Sequence, residues 1–310
     1  MVLLGISILF SGCAGLAVGS SARLTPSEKM MWSTYAVGTA KGMATCVIIN
    51  RRDQFAPHGI VPVLVTAAHV LTVAPRGPYF LAIRRPNPNG NPEVDILVVN
   101  PVWFAQGTYT RHPHHDIAAL ELRIPTDMAD AVSLPSFLDE NAIARSGDEA
   151  RAGDEVSVLG FPKVFPGTEG AFPILRGGKI ASYAPGPPRD QEKFLINTSV
   201  YSGDSGGPVF AGPRNGRRPA LLGLVTERIG QKAGEVPLAI AVNARVIRET
   251  LQLLAQRDRS GLESNSAQNK LGSDGRQNST LKLGAPPNMF MKVVHAKKPS
   301  ALPLPIAAHE

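Results

Sequence analysis

The sequence predicts an all-β chain built as two successive strand-rich halves with one helix after them. Three observations lead there. Short apolar, β-branched runs recur along most of the chain, such as Met43 to Ile49, Val61 to Thr66 and Ala220 to Thr226. They are punctuated by 30 glycines and 27 prolines in 310 residues, which suits many short strands joined by turns. Beyond Asn243 the pattern switches to a helical one, with Val246, Ile247, Leu251 and Leu254 on one face. A hydrophobic fraction of 43% is ample for a core.

The first half runs from about Tyr35 to Ile124. Val37-Gly38-Thr39-Ala40 and Met43 to Ile49 read as paired strands meeting at Lys41-Gly42, and Asn50 to Pro57 as a polar turn. Val61 to Thr66 is a strand leading to His69. Tyr79 to Arg84 and Val94 to Val99 are strands split by the turn-rich Pro86-Asn87-Pro88-Asn89-Gly90-Asn91-Pro92. Asp116 to Leu122 closes the set, and a linker follows over 125–146.

The second half starts near Gly153-Asp154-Glu155-Val156-Ser157-Val158-Leu159-Gly160-Phe161-Pro162. Ile174 to Ser182 and Phe194 to Asn197 supply strands, then Val209-Phe210, Ala220 to Thr226 and Leu238 to Val242. Asn243 is placed to cap the final helix and Gly261 to end it.

The chemistry concentrates in three stretches. Tyr201-Ser202-Gly203-Asp204-Ser205-Gly206-Gly207-Pro208 sets a nucleophile, Ser205, between glycines. Glycine tolerates positive φ and close approach of a substrate to the backbone. Such a turn can aim the N–H groups of Gly203 and Ser205 at one developing oxyanion. Val63-Leu64-Val65-Thr66-Ala67-Ala68-His69 brings a base to the end of a strand. His115-Asp116-Ile117-Ala118-Ala119-Leu120 brings a carboxylate to the start of another. An acyl-transfer serine needs both, one to take its proton and one to orient the base.

The order His, Asp, Ser in these contexts resembles the trypsin-like (chymotrypsin-fold) serine peptidases, over roughly residues 35–255. The resemblance implies two antiparallel six-stranded β-barrels with a C-terminal helix. It makes Thr66-Ala67-Ala68-His69 the carrier of the base, Asp116 the orienting carboxylate, Ser205 the nucleophile, and Gly203 and Ser205 the oxyanion-hole donors. The Gly153 to Pro162 stretch resembles the opening of the second barrel in bacterial members. Ser199, six residues before the nucleophile, corresponds to the pocket floor, with Thr226 and Arg228 on the pocket wall. A small neutral floor implies a small or medium apolar residue before the scissile bond; Arg228 makes an acidic one the alternative. In zymogen-activated relatives the aspartate matching Asp204 pairs with a freshly cut N-terminus. This chain has no Ile-Val-Gly-Gly-like start, and the sequence names no other partner for Asp204.

The ends of the chain read differently. Residues 1–22 form an export signal, with Val2 to Phe10 nearly all apolar. Phe10-Ser11-Gly12-Cys13 resembles a lipobox, which makes Cys13 a lipidated N-terminus attached to a membrane; cleavage after Ser20-Ser21-Ala22, giving a soluble exported protein, is the second reading, and an uncleaved anchor the third. Two cysteines cannot build a disulfide framework, and Cys46 sits in a strand as a buried residue. The peptidase domain is expected over 30–257. From 258 to 310 Ser, Asn, Gln, Gly and Lys dominate, the composition of a disordered basic tail, which holds much of the net charge of +7.

The expectation is therefore an exported serine endopeptidase that acts on polypeptide, not nucleic acid, through an acyl-enzyme, with neither metal nor organic cofactor. His112, His114 and His115 share one Pro-containing loop without a recognised zinc spacing. A catalytically silent binding protein of the same fold and an esterase-like hydrolase with little peptide turnover are the alternatives; the oligomeric state stays open.

Overall fold

The computed structural model describes residues 24–39, 42–53, 59–72, 78–86, 92–99, 109–122, 138–145, 150–163, 172–182, 191–213, 218–230, 236–256 and 291–295. The leader with Cys13, Gly261 and most of the linker and tail lie outside them.

The chain enters through α1 (Pro26–Ser33), which the strand-based reading did not include. Its signature is Thr25-Pro26-Ser27-Glu28: the Thr25 hydroxyl accepts the Glu28 N–H, and the Glu28 carboxylate accepts the Thr25 N–H at 2.7 Å. Arg84 closes the other end, donating to the carbonyls of Trp32 and Thr34. This guanidinium is fully buried and lies over the rings of Tyr35, Phe172 and Trp32 at 4.2, 4.9 and 5.5 Å. A buried cation is tolerated there because helix-terminal carbonyls and ring faces replace its water.

The first half contains β1 (Thr34–Thr39), β2 (Gly42–Arg52), β3 (Ile60–Thr66), α2 (Ala68–Thr72), β4 (Tyr79–Pro86), β5 (Pro92–Val99), β6 (Tyr109–Arg111) and β7 (Ala118–Glu121). The second half contains β8 (Glu155–Gly160), β9 (Ile174–Ile180), β10 (Lys193–Asn197), β11 (Pro208–Ala211), β12 (Ala220–Ile229) and β13 (Leu238–Asn243). α3 covers 244–256. All ladders of the two sheets are antiparallel.

The second half closes as a six-stranded barrel in the order β10-β13-β12-β11-β8-β9. Val156, Val158, Phe194, Ile196, Val209 and Leu222 pack inside it. The first half differs in detail from the expected six strands. Its sheet runs β14-β5-β4-β1-β2-β3-β7-β6, with short β6 added beside β7 and β14 (Met291–His295) on the outer edge of β5. The segment read as disordered tail thus contains a strand, registered Met291↔Val99 to His295↔Asp95. An edge strand presents unpaired backbone groups, and five residues suffice to satisfy them. Its apolar spots, Met289-Phe290-Met291 and Val293-Val294, are too brief to mark a strand within a polar tail.

The two-residue period of β2 and β3 joins the halves. Cys46, Ile48 and Leu64 point into the first half's own core. Val47, Ile49, Val63 and Val65 point the other way, against Leu159, Phe210, Leu221 and Leu224 of the barrel. Val246, Ile247, Leu251 and Leu254 of α3 join that shared core, as their spacing anticipated. Both faces of β2 and β3 are therefore buried, which explains why they read as continuous apolar runs. Asn243 caps α3 by accepting the Arg245 N–H at 2.8 Å. Cys46 is fully buried, and burial holds its thiol pKa far above the usual range.

Candidate active site

β3 and β7 pair with Thr66 opposite Ala118. The chain leaving β3 and the chain entering β7 therefore stand side by side. The first turns over Ala67 into α2, whose second residue is His69. The second carries Asp116. The Asp116 carbonyl accepts the Ala68 N–H at 3.1 Å, and its Oδ1 accepts the His69 N–H at 2.8 Å. Oδ2 lies 2.5 Å from Nδ1 of the His69 ring. That contact places the ring proton on Nδ1 and leaves Nε2 as the basic nitrogen.

Electrostatics follow the same pair. The Asp116 hydrogen bond, with the charges of Asp116 and Glu227, outweighs burial and raises the His69 pKa above the ordinary imidazole value. Burial would raise the Asp116 pKa, but the His69 hydrogen bonds and charge, with Arg111, win and lower it. A raised histidine and a lowered carboxylate are two views of one interaction.

Ser205 lies on the turn between Val200 and β11. Gly203 and Gly206 have φ of 107° and 84°, values that favour glycine. Gly206 also has no room for a side chain: a Cβ would lie 2.1 Å from the Thr45 carbonyl and the Thr66 hydroxyl. The residue after Ser205 thus abuts the end of β3, three residues ahead of His69. The turn's amides divide in two. Those of Asp204, Gly206 and Gly207 donate to Tyr201, Val225 and Asp204 carbonyls. Among the described residues no hydrogen bond engages those of Gly203 and Ser205. The carbonyls around Gly203 are held: Ser202 by the Lys163 N–H at 2.9 Å, and Gly203 by the Thr45 hydroxyl at 2.7 Å.

Thr45 was not singled out from sequence, because a threonine in a strand carries no signal of its own. Its hydroxyl also accepts the Phe161 N–H at 3.0 Å, and its own N–H donates to the Ser205 carbonyl at 2.9 Å. One fully buried β2 residue thus holds two loops of the other half.

The partner of Asp204 is Arg176 on β9. The guanidinium takes the fully buried carboxylate in a fork, at 2.7 Å to Oδ2 and 2.6 Å to Oδ1. Oδ2 also accepts the Tyr201 N–H at 2.7 Å. Gly160 makes space for the pair, since a Cβ there would fall 2.1 Å from Asp204 Oδ1. The carboxylate is satisfied from within the described residues and needs no freshly cut N-terminus. The sequence signal was an arginine before Gly177-Gly178 in a barrel strand, too common to read alone.

The expected pocket residues are placed as follows. Ser199 is half-buried, and its carbonyl accepts an Arg176 N–H at 2.9 Å. Thr226 is buried at a bulge between Val225 and Glu227, with no hydrogen-bond partner for its hydroxyl among the described residues. Arg228 is exposed. Glu227 pairs with Lys193 at 2.6 Å, which leaves Arg228 without an ion pair among the described residues.

Arg176→Met isolates a buried carboxylate and should destabilise the fold by about 3–5 kcal/mol. Chemical denaturation against the wild type measures it; an unchanged midpoint would mean that Asp204 has another counter-charge.

No curated protein matches the sequence. Among solved structures, the chain is similar to the inactive, serine-to-alanine form of Rv3671c from M. tuberculosis H37Rv, with 18% identity, a TM-score of 0.42 and 73% of this chain covering 87% of that one. It is also similar to the HtrA-type protease AlgW with a decapeptide, with 14% identity, a TM-score of 0.43 and 75% of this chain covering 68% of that one. The family model described as a trypsin-like peptidase domain matches residues 44–218, which hold His69, Asp116 and Ser205. That match spans more than half of the chain and agrees with the closed barrel beside the strand-rich first half, so this protein belongs to the trypsin-like peptidase family.

Proposed function

We propose that the protein is a serine endopeptidase that hydrolyses polypeptides through an acyl-enzyme. The observation that carries this is the His69–Asp116 pairing, 2.5 Å from Nδ1 to Oδ2, beside a serine turn with two unengaged N–H groups. His69 takes the Ser205 proton as Oγ attacks the carbonyl carbon, and returns it to the leaving amine as the C–N bond breaks. Water then repeats the sequence on the acyl-enzyme, regenerating Ser205. Asp116 keeps Nε2 available and stabilises the imidazolium. The N–H groups of Gly203 and Ser205 hold the oxyanion, each worth about 3 kcal/mol in comparable sites.

A peptide substrate also needs a track. β12 runs past the serine turn, and from Glu227 to Ile229 it pairs only with β13 among the described residues. Its other edge is available for an extended chain to add to, beside Ser205. This favours an endopeptidase over an esterase, which needs no strand edge.

Ser205→Ala should abolish labelling by a fluorophosphonate and reduce kcat by several orders of magnitude with the fold intact. His69→Ala should cost a similar amount and the double variant little more. Labelling that persists in Ser205→Ala would exclude this nucleophile; absence of labelling in the wild type would favour the silent binding protein.

The pH dependence has a definite sign. The neutral ring is the base, and the raised His69 pKa keeps the ring protonated to higher pH than an isolated imidazole. The acid limb of kcat/KM should therefore lie above roughly pH 6.5. Asp116→Asn removes the main cause of the shift, so the limb should move down while the rate falls. A limb that stays in place would contradict the pairing.

For specificity we propose a small or medium apolar residue before the scissile bond, with an acidic one as the second reading because Arg228 has no ion pair among the described residues. A peptide series varied at that position, run on wild type and Arg228→Gly, separates them. An acidic preference that vanishes in Arg228→Gly supports the second; cleavage after Lys or Arg contradicts both.

We also propose export to the cell envelope, with Cys13 as the lipid attachment point, on the strength of the leader alone. Mass spectrometry of the mature N-terminus should find diacylated Cys13; an unmodified Arg23 would establish soluble export.

A further inference from the structure

The loop that carries Asp116 begins with three histidines that the proposed chemistry does not use. The loop is braced internally: the His112 N–H donates to the Ile117 carbonyl and the Ile117 N–H to the His115 carbonyl, both at 2.9 Å. It is also braced externally, by carboxylates from the second half of the chain. His112, 6% exposed, places Nε2 3.4 Å from Glu249 of α3. His115 places Nε2 3.3 Å from Glu192, just before β10. Arg245 of α3 lies 3.7 Å from Glu192 and 3.5 Å from Glu249, tying the two carboxylates together. The Asp116 loop is thus pinned at two points to the C-terminal helix and the barrel.

The His112 ring is set in one protonation state. Its Nδ1 accepts the His114 N–H at 3.3 Å, so the neutral ring carries its proton on Nε2, toward Glu249. A second proton must go on Nδ1, where the His114 N–H already points. The resulting cation would also face the His115 ring, with centroids 4.5 Å apart. The titratable and charged groups of the loop and of the elements packed against it are Arg111, His114, His115 and Asp116 on its own segment, Glu249 and Arg245 on α3, and Glu192 before β10.

We propose that His112 and His115, held by Glu249 and Glu192, are positioning residues for Asp116, and that protonation of His112 releases the loop from within, by displacing the His114 N–H from Nδ1 while the Glu249 contact stays. The role in catalysis rests on the reading of Asp116 as the group that orients His69. Burial and the neighbouring His115 lower the His112 pKa against the opposing pull of Glu249, consistent with a neutral ring in the folded state. The unfolded chain takes this proton near the ordinary imidazole value and the folded chain resists it, so the brace is complete above roughly pH 6.5 and weakens as pH falls below it. Acid thus acts on Asp116 as well as on His69.

Amide hydrogen exchange over residues 112–117, corrected for intrinsic rates and followed from pH 7.5 to pH 5, tests the release without reference to catalysis. Protection in the wild type should fall with acid. His112→Asn keeps an acceptor for the His114 N–H but cannot titrate, so its protection should stay level. Glu249→Gln removes the charge that favours protonation, so the midpoint of the loss should move to lower pH. Wild-type protection that does not change, the same loss in His112→Asn, or an unmoved midpoint in Glu249→Gln would overturn the release. The acid limb of kcat tests the positioning: it should steepen towards slope two at its acid end in the wild type and stay at slope one in His112→Asn, since one of the two protons is gone. Equal slopes would overturn it. Because exchange reads the loop and fluorophosphonate labelling reads Ser205, failure of the brace and failure of the serine mechanism leave different traces.

Discussion

Asp204 is a carboxylate with no access to water, one residue before the proposed nucleophile. Burying such a charge is tolerable only with a full set of partners, and the geometry of the serine turn follows from supplying them. Arg176 fills both oxygens in one plane, and the Tyr201 N–H adds a third bond. The Asp204 N–H and carbonyl are engaged within the same turn, by Tyr201 and Gly207. With Asp204 held on every side, the amides of Gly203 and Ser205 are the ones left over. The proposed oxyanion site is thus a remainder: the donors that the turn's own hydrogen bonds leave unengaged. The cation comes from a barrel strand rather than from a chain end, so the turn is held by residues that fold with it.

The second constraint is the seam between the halves. Neither half contains the site: His69 and Asp116 belong to the first and Ser205 to the second. Thr45 crosses from one to the other with three hydrogen bonds, to Phe161, Gly203 and Ser205. Gly206 presses against Thr45 and Thr66 so closely that no side chain fits. Directional bonds of this kind set the relative placement of the halves, while the apolar residues of β2, β3 and α3 hold them together without specifying a register. The pinning of the Asp116 loop by Glu192 and Glu249 extends that seam beyond the His69–Asp116 pair.

Much of the fold was legible because the relevant signals are local. Alternation and turn residues located β1 to β5, β7 and β8 to β13, and the spacing of Val246, Ile247, Leu251 and Leu254 found α3 and its buried face. α1 was missed although Thr25, Pro26 and Glu28 spell its cap, since eight residues give little periodicity. β6 and β14 were missed for a different reason. Segments of three and five residues become strands only because a neighbouring edge needs a partner, and pairing between distant segments is not written in either one.

The sequence by itself determined which groups are available for chemistry and the strands that carry them: a serine between glycines, a histidine at the end of a strand and an aspartate at the start of another. These are properties of a few consecutive residues, where backbone preference and side-chain type suffice. Only the tertiary structure decided who meets whom. That Arg176 neutralises Asp204, that Thr45 holds the Gly203 carbonyl, that Glu227 pairs with Lys193 and not with Arg228, and that His112 and His115 face Glu249 and Glu192 across the seam are encounters between residues separated by tens of positions. Charge and hydrogen-bond complementarity act through space, and many sequence partners would serve equally until packing brings one pair within about 3 Å.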